Sequence, residues 1–144
     1  MIRSFKHKVN IQIRFKDIDK LGHVNNATYL SYLETARMSY FRQVIGTTID
    51  WVKTGMILAK VNIDYKLPVV LEDELFVYTR ITRFGTKSFD ISNCMVKVVN
   101  NEEKICCTAV SVIVCMNYET KETSPVPQLW KDRVQAFEGE VICS

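Results

Sequence analysis

The sequence predicts an α+β fold in which one antiparallel sheet curls around a single long helix, and three observations carry that reading. Residues 8–16 alternate apolar and polar side chains as a half-buried strand does. Residues 27–45 contain neither Pro nor Gly and are apolar over most of a helical circumference. Four strand-like runs follow, the last three separated only by short turns, as in an antiparallel meander.

The first run places Val9, Ile11, Ile13 and Phe15 on one face and Lys8, Asn10, Gln12, Arg14 and Lys16 on the other. Residues 17–26 are rich in turn and cap formers, and Asn25 or Asn26 is placed to accept a hydrogen bond from the first helical amides. The helix repeats Tyr29, Leu30, Leu33, Ala36, Tyr40, Phe41 and Val44, is widened by Tyr32, Met38 and Ile45, and meets a C-terminal stop at Gly46. A helix with so little polar surface is expected to be wrapped by its sheet. Strands are expected at 57–65, 74–84, 87–99 and 104–116, with turns at Leu67-Pro68 and Glu72-Asp73, at Gly85-Thr86, and at Asn100-Asn101-Glu102. Alternation in the second of these is imperfect: Leu75, Val77 and Ile81 share one face and Phe76 and Tyr78 the other, so both faces of the sheet are expected to be covered. The tail carries Pro125 and Pro127 and then a modest helical pattern at Leu129, Trp130, Val134 and Phe137. A sheet half-covered in this way leaves a face or an edge for another subunit, so a homo-oligomer is expected.

With 144 residues, 47% hydrophobic and 24% charged, the chain suits one globular domain spanning 1–144. Its net charge of +3 is spread among acids without a basic block, which argues against nucleic acid as a partner, while a few cations at a cleft mouth would suit a small polyanion such as coenzyme A. No apolar run has the length of a signal peptide or a membrane span, so no membrane association and a cytoplasmic location are expected. The five cysteines form no Cys-x-x-Cys pair and fall mostly in apolar runs, as reduced structural thiols do. With only His7 and His23, no metal site is expected.

The familiar hydrolase and nucleotide motifs, Gly-x-Ser-x-Gly, Gly-x-x-x-x-Gly-Lys, Gly-x-Gly-x-x-Gly and His-Glu-x-x-His, are absent. Catalysis would have to use carboxylates, a lone histidine and backbone amides. Residues 17–26 offer all three just before a helix N-terminus, whose unpaired N–H groups and partial positive charge can stabilise an oxyanion. The plain structural alternative is that Asp17 and Asp19 form an Asx-turn, Asn25 and Asn26 cap the helix, and His23 is a hydrogen-bonded loop residue. Glu34, three residues before Arg37, reads as an ion-pair partner, or as a partly buried carboxylate of perturbed pKa if the helix is wrapped.

The segment 14–37 carries Asp17-x-Asp19-x-x-Gly22-His23-Val24-Asn25-Asn26 and then Tyr29-x-x-Tyr32-x-Glu34-x-Ala36-Arg37. It closely resembles the opening of the 4-hydroxybenzoyl-CoA thioesterase-like family of hotdog proteins. Ile63-Asp64-Tyr65, Pro68, Glu72-Asp73 and Thr86-Lys87-Ser88-Phe89 extend a weaker likeness to about residue 118. The resemblance implies a five- or six-stranded antiparallel sheet wrapped around one helix, a homodimer or homotetramer, and hydrolysis of acyl-CoA thioesters without a cofactor. By motif position it implies Asp19 as the catalytic carboxylate, nucleophile or base, and the backbone amide at Asn26 as oxyanion donor. It places His23 and Glu34 at positions whose roles vary within the fold. It sets Arg83 and Lys87 where relatives contact CoA phosphates, and the acyl tunnel is expected to be lined by residues such as Tyr29, Leu33 and Met56. Two rival readings share the fold: an acyl-carrier-protein thioesterase, and a non-catalytic acyl-CoA-binding module. Asp19 argues against the second, because holding a thioester requires no carboxylate beside its carbonyl.

Overall fold

The computed structural model describes residues 2–144. Its main elements are β1 (His7–Ile11), α1 (Thr28–Val44), β2 (Gly55–Tyr65), β3 (Leu75–Phe84), β4 (Ser88–Val99), β5 (Glu102–Asn117), β6 (Glu122–Thr123), α2 (Gln128–Glu138) and β7 (Ile142–Cys143). The principal strands pair antiparallel in the order β1-β3-β4-β5-β2, with β6 added to β5 and β7 running parallel to β3. The expected meander is β3-β4-β5. The β4–β5 hairpin turns on Asn100 and Asn101, both in the left-handed region at φ 52° and 63°, which suits the twist of a two-residue hairpin.

α1 separates β1 and β2 in sequence, and these become the two edges of the sheet. The helix packs chiefly on β1 and β3. Its N-terminal half buries Tyr29, Tyr32, Leu33 and Ala36 against Leu75, Val77, Met95 and Cys107. Its C-terminal half buries Tyr40, Phe41 and Val44 against Ile81, Phe89, Ile113 and Trp130 of α2. Between these clusters lie polar side chains: His7 meets Ser39 at 3.1 Å, and Asn93 donates to the Thr79 hydroxyl at 2.9 Å. The opposite face of the sheet is covered in part by Ile2 and Phe5, which pack with Tyr78, Cys94 and Val96. α2 closes the far end, where the Tyr40 hydroxyl donates to Glu138 Oε2 at 2.6 Å.

Three expectations need correction. The first strand ends at Ile11 rather than continuing to residue 16, and Phe15 is 83% exposed. The chain turns instead because the Asp17 carboxylate accepts the Arg14 N–H at 3.0 Å and closes a short 3-10 turn over Phe15–Asp17. Neither asparagine caps the helix in the expected sense: Asn25 Oδ1 accepts from Ala27, the residue before the first helical position, and Asn26 contributes only its backbone. Glu34 is 70% exposed rather than partly buried.

Candidate active site

The segment 17–26 is a folded-back loop. Ile18 and Val24 form an antiparallel bridge, the Asp19 N–H donates to the His23 carbonyl at 2.9 Å, and the Gly22 N–H returns to the Asp19 carbonyl at 3.0 Å. Gly22 completes the reversal at φ 84°, a conformation that strains any side-chain-bearing residue. Asp19 Oδ1 accepts the Leu21 N–H at 2.9 Å; Oδ2 has no intramolecular partner among the described residues. Asp19 is half-buried, and His23 and Asn26 are exposed.

The two carboxylates of the Asp-x-Asp motif have different surroundings. Asp17 is 4% exposed and accepts from the Tyr32 hydroxyl at 2.6 Å and from the Arg14 amide, with the Arg14 guanidinium at 3.4 Å. Burial by itself would raise the Asp17 carboxyl. The Tyr32 and Arg14 hydrogen bonds and the Arg14 charge outweigh it and hold the group below the usual carboxylate range. Its backbone carbonyl also accepts the Asn25 N–H at 2.9 Å, so Asp17 fixes both ends of the loop.

Of the amides from Asn25 to Tyr29 leading into α1, all but one have a partner. Asn25 N–H goes to Asp17, Ala27 N–H to Asn25 Oδ1, Thr28 N–H to the Asn25 carbonyl and Tyr29 N–H to the Asn26 carbonyl. The Asn26 N–H has no acceptor among the described residues. It stands at the positive end of a 17-residue helix. Tyr65, at the end of β2, donates its hydroxyl to the Asn26 carbonyl at 3.0 Å and packs edge-on against Tyr29 with ring centroids 4.9 Å apart. These groups, with His23, Lys66 and Pro68, line a cavity of about 190 Å³. Burial pushes the Tyr29 hydroxyl up to about 12, so it is a neutral wall at neutral pH. The loop 66–73 that shapes this cavity is pinned by Lys97, which donates to the Pro68 carbonyl at 2.7 Å, and by Val69, whose carbonyl accepts the Val24 N–H at 2.8 Å.

The other predicted residues lie elsewhere. Glu34 and Arg37 line a separate cavity of about 380 Å³, together with Trp51, Met56, Leu58 and Tyr118. Gly55 forms part of its wall, and a Cβ there would overlap the Tyr118 ring. Arg83 donates to the Ser144 hydroxyl at 2.6 Å and Lys87 to Thr123 at 3.3 Å. Both sit at the Phe84 end of β3, whereas the loop 17–26 packs at its Leu75 end, about 30 Å away along a ten-residue strand. A concavity of about 590 Å³ lies on the outer face of the sheet around Asn62, Asp64, Arg80 and Ser92 and contains none of the predicted site residues. Among the described residues no group of three or more His, Cys, Asp or Glu is arranged to hold a metal ion, and no helix is long and apolar enough to cross a membrane.

A family model described as the thioesterase-like superfamily matches residues 13–136, which includes the whole loop, α1, the four principal strands β2 to β5, and α2 apart from its last residues. The chain belongs to that superfamily. It is 27% identical over 118 residues to the long-chain acyl-CoA thioesterase FadM of Escherichia coli, covering 80% of this chain and 86% of FadM. A Thermus thermophilus thioesterase, solved with coenzyme A and zinc, superposes with a TM-score of 0.81 at 35% identity over 96% of this chain and 98% of the other. A thioesterase-superfamily structure from Jannaschia, 20% identical, superposes with a TM-score of 0.84 over 95% of this chain and 85% of its own, a likeness of fold alone. The hotdog fold implied by the 14–37 motif is therefore the fold observed.

Arg37 and Tyr65 were not singled out as site residues from the sequence. For Arg37 a signal existed: with Leu33 and Phe41 it stands at four-residue spacing on the apolar stripe of α1, where an arginine is out of place.

Proposed function

We propose that this protein hydrolyses acyl-CoA thioesters to a free acid and CoA, using Asp19 and the N-terminal end of α1. The observation that carries the reading is the unbonded Asn26 N–H at a helix N-terminus, in the same loop as a carboxylate with a free oxygen. A thioester carbonyl hydrogen-bonded to Asn26 N–H gains stabilisation as its oxygen becomes an oxyanion. Asp19 Oδ2 then either attacks the carbonyl carbon, forming an anhydride that water cleaves, or takes a proton from water as the hydroxide adds. In both routes the C–S bond breaks and the CoA thiolate leaves, to be protonated by solvent. Tyr65 orients the Asn26 peptide, and Asp17 holds the loop without touching substrate. Membership of the thioesterase-like superfamily and the likeness to FadM support this assignment.

The working unit in this reading is at least a homodimer. β2 is an eleven-residue strand at the sheet edge, mostly exposed and paired only through β5, and such an edge invites pairing with a second copy. Arg83 and Lys87 are too far from Asp19 in one chain to share its CoA, so if they meet the phosphates they do so from the second copy. The five free cysteines, four of them buried, suit a reducing cytoplasm.

The decisive experiment follows CoA thiol release from a panel of acyl-CoAs with a thiol-reactive dye, alongside light scattering. Release above the no-enzyme rate is expected from at least one acyl class, by an oligomer. A folded protein that releases CoA from none of them removes the hydrolase reading, and an active monomer removes the dimer.

A further inference from the structure

Arg37 is a half-buried cation without a hydrogen-bonded acceptor among the described residues. Its side chain is 13% exposed, and its ion-pair partner is Glu34 Oε2 at 3.8 Å, beyond hydrogen-bond distance, on a side chain that is itself 70% exposed. Burial pulls the guanidinium below its ordinary pKa, and the Glu34 charge offsets this only in part. A guanidinium stays charged all the same, with N–H donors in a planar fork. None of its nitrogens is among the buried atoms left without a partner, so the fork opens to solvent in the cavity and is free to take an anion.

The space in front of it suits a ligand. The cavity of about 380 Å³ combines the guanidinium with the thioether of Met56 and the rings of Trp51 and Tyr118. It has the size and the mixed lining of a small-molecule pocket: apolar side chains with the Arg37 cation among them and the exposed Glu34 carboxylate beside it. Arg37 follows Asn26 by eleven residues, about 16 Å of helix rise, so a carbonyl polarised at Asn26 is beyond the reach of the same chain's Arg37. The guanidinium is therefore placed to meet a part of the substrate distant from the thioester.

We propose that the Arg37 cavity is an acyl-end subsite that selects acyl-CoAs whose acyl group ends in a carboxylate, held by paired N–H···O bonds to the guanidinium. The proposal rests on the acyl-CoA hydrolase reading for its substrate and adds the class of acyl group. A terminal methyl in the same place displaces water from the fork and leaves its donors unpaired, and sites of that kind reject the analogue that lacks the polar group. The apolar walls accept the methylene spacer of either substrate, so discrimination falls on Arg37. Glu34, exposed beside it, turns to solvent when the carboxylate enters.

The test uses the full chain and non-hydrolysable thioether analogues of adipoyl-CoA against hexanoyl-CoA and of dodecanedioyl-CoA against lauroyl-CoA, so that binding is read by calorimetry independently of turnover. Wild type should bind one carboxylate-ended analogue roughly tenfold or more tighter than its alkyl counterpart. Arg37→Met, which keeps the bulk and loses the fork, should bring that ratio close to one. Arg37→Lys, which keeps the charge without the planar fork, should retain only part of it, and serves alone if the Met variant does not fold. Equal affinity of wild type for both members of both pairs overturns the proposal, as does an Arg37→Met variant that weakens both members by the same factor. Conversion of an oligomer to a monomer by Arg37→Met overturns it too, because the fork then belongs to a second copy. A preserved carboxylate preference with no CoA release from the matching thioesters would keep the subsite and remove the hydrolase.

Discussion

The Tyr32 hydroxyl donates to Asp17 Oδ2 at 2.6 Å, tying the second turn of α1 back to the loop that precedes the helix. Both groups are buried, Tyr32 at 4% and Asp17 at 4% exposure, so the bond is shielded from water. Tyr32→Phe should lower stability by about 1–3 kcal/mol, the range for leaving a buried charged acceptor short of a donor. The pH dependence has a definite sign. The folded Asp17 pKa lies below the unfolded value of about 3.9, so its contribution is complete above that value and lost as pH falls through the folded pKa. Melting followed by circular dichroism from neutral to acid pH should show the variant's deficit shrinking in acid. A constant gap would mean that the lost hydroxyl acts through packing alone.

Asp19→Asn preserves the oxygen that accepts the Leu21 N–H and removes the charge. If Asp19 acts in turnover, kcat should fall by about 10²- to 10⁴-fold with little change in melting temperature. A purely structural Asp19 predicts the reverse: Asn like wild type, and Asp19→Ala less stable by about a kcal/mol with the loss of its turn bond. Glu34→Gln runs beside it as a comparison, since a larger kcat loss there would move the chemistry onto the helix.

Tyr65→Phe keeps the ring against Tyr29 and deletes the bond to the Asn26 carbonyl. Loss of one neutral hydrogen bond, about 1 kcal/mol, should cost roughly fivefold in kcat with KM nearly unchanged, because the bond orients the peptide that meets the oxyanion. An equal effect on KM, or none on kcat, would place Tyr65 outside the site.

Glu138 should behave as a destabilising carboxylate at neutral pH. Burial raises its pKa more than the Tyr40 hydrogen bond and the nearby Arg80 and Lys6 charges lower it, and its Oε1 lies buried without a partner. A carboxyl with a raised folded pKa favours the folded state fully below its unfolded value of about 4.3, and that advantage is lost as pH rises through the folded value. Glu138→Gln should therefore melt higher than wild type at neutral pH, with the difference closing in acid. A variant that melts lower at neutral pH would show that the charge on Glu138 is stabilising.

Elements with a clear period were legible in the sequence. The helix expected over 27–45 spans Thr28–Val44, and strands expected at 57–65, 74–84, 87–99 and 104–116 match β2 to β5 within a few residues. Pairing was less accessible, because alternation sets which face a side chain takes and says nothing of its neighbour strand; the position of β2 beyond β5 had to come from the fold. Phe15 failed for a local reason: its alternation was sound, but the Asp17 carboxylate captures the Arg14 amide and turns the chain away from the sheet. Within the candidate site the motif marked residues 17–26 correctly as one unit. The motif position implied Asp19 as the catalytic carboxylate, but the burial of Asp17 was not legible, since the donor that holds it, Tyr32, stands fifteen residues further on. Arg37 escaped notice because its pairing with Glu34 three residues away is so common on exposed helices that the apolar stripe beneath it went unweighed.

Gly55 puts a limit on how this protein can be re-engineered. The Tyr118 ring occupies the volume that any side chain at position 55 would need, and its hydroxyl donates to the Met56 carbonyl one residue on, so the ring cannot swing away without breaking a bond to the strand it guards. Even alanine at 55 would force the Tyr118 ring, which lines the same cavity as Arg37, to move. Attempts to widen the range of accepted acyl groups would do better to vary Met38, which lines the same chamber from α1, away from that overlap.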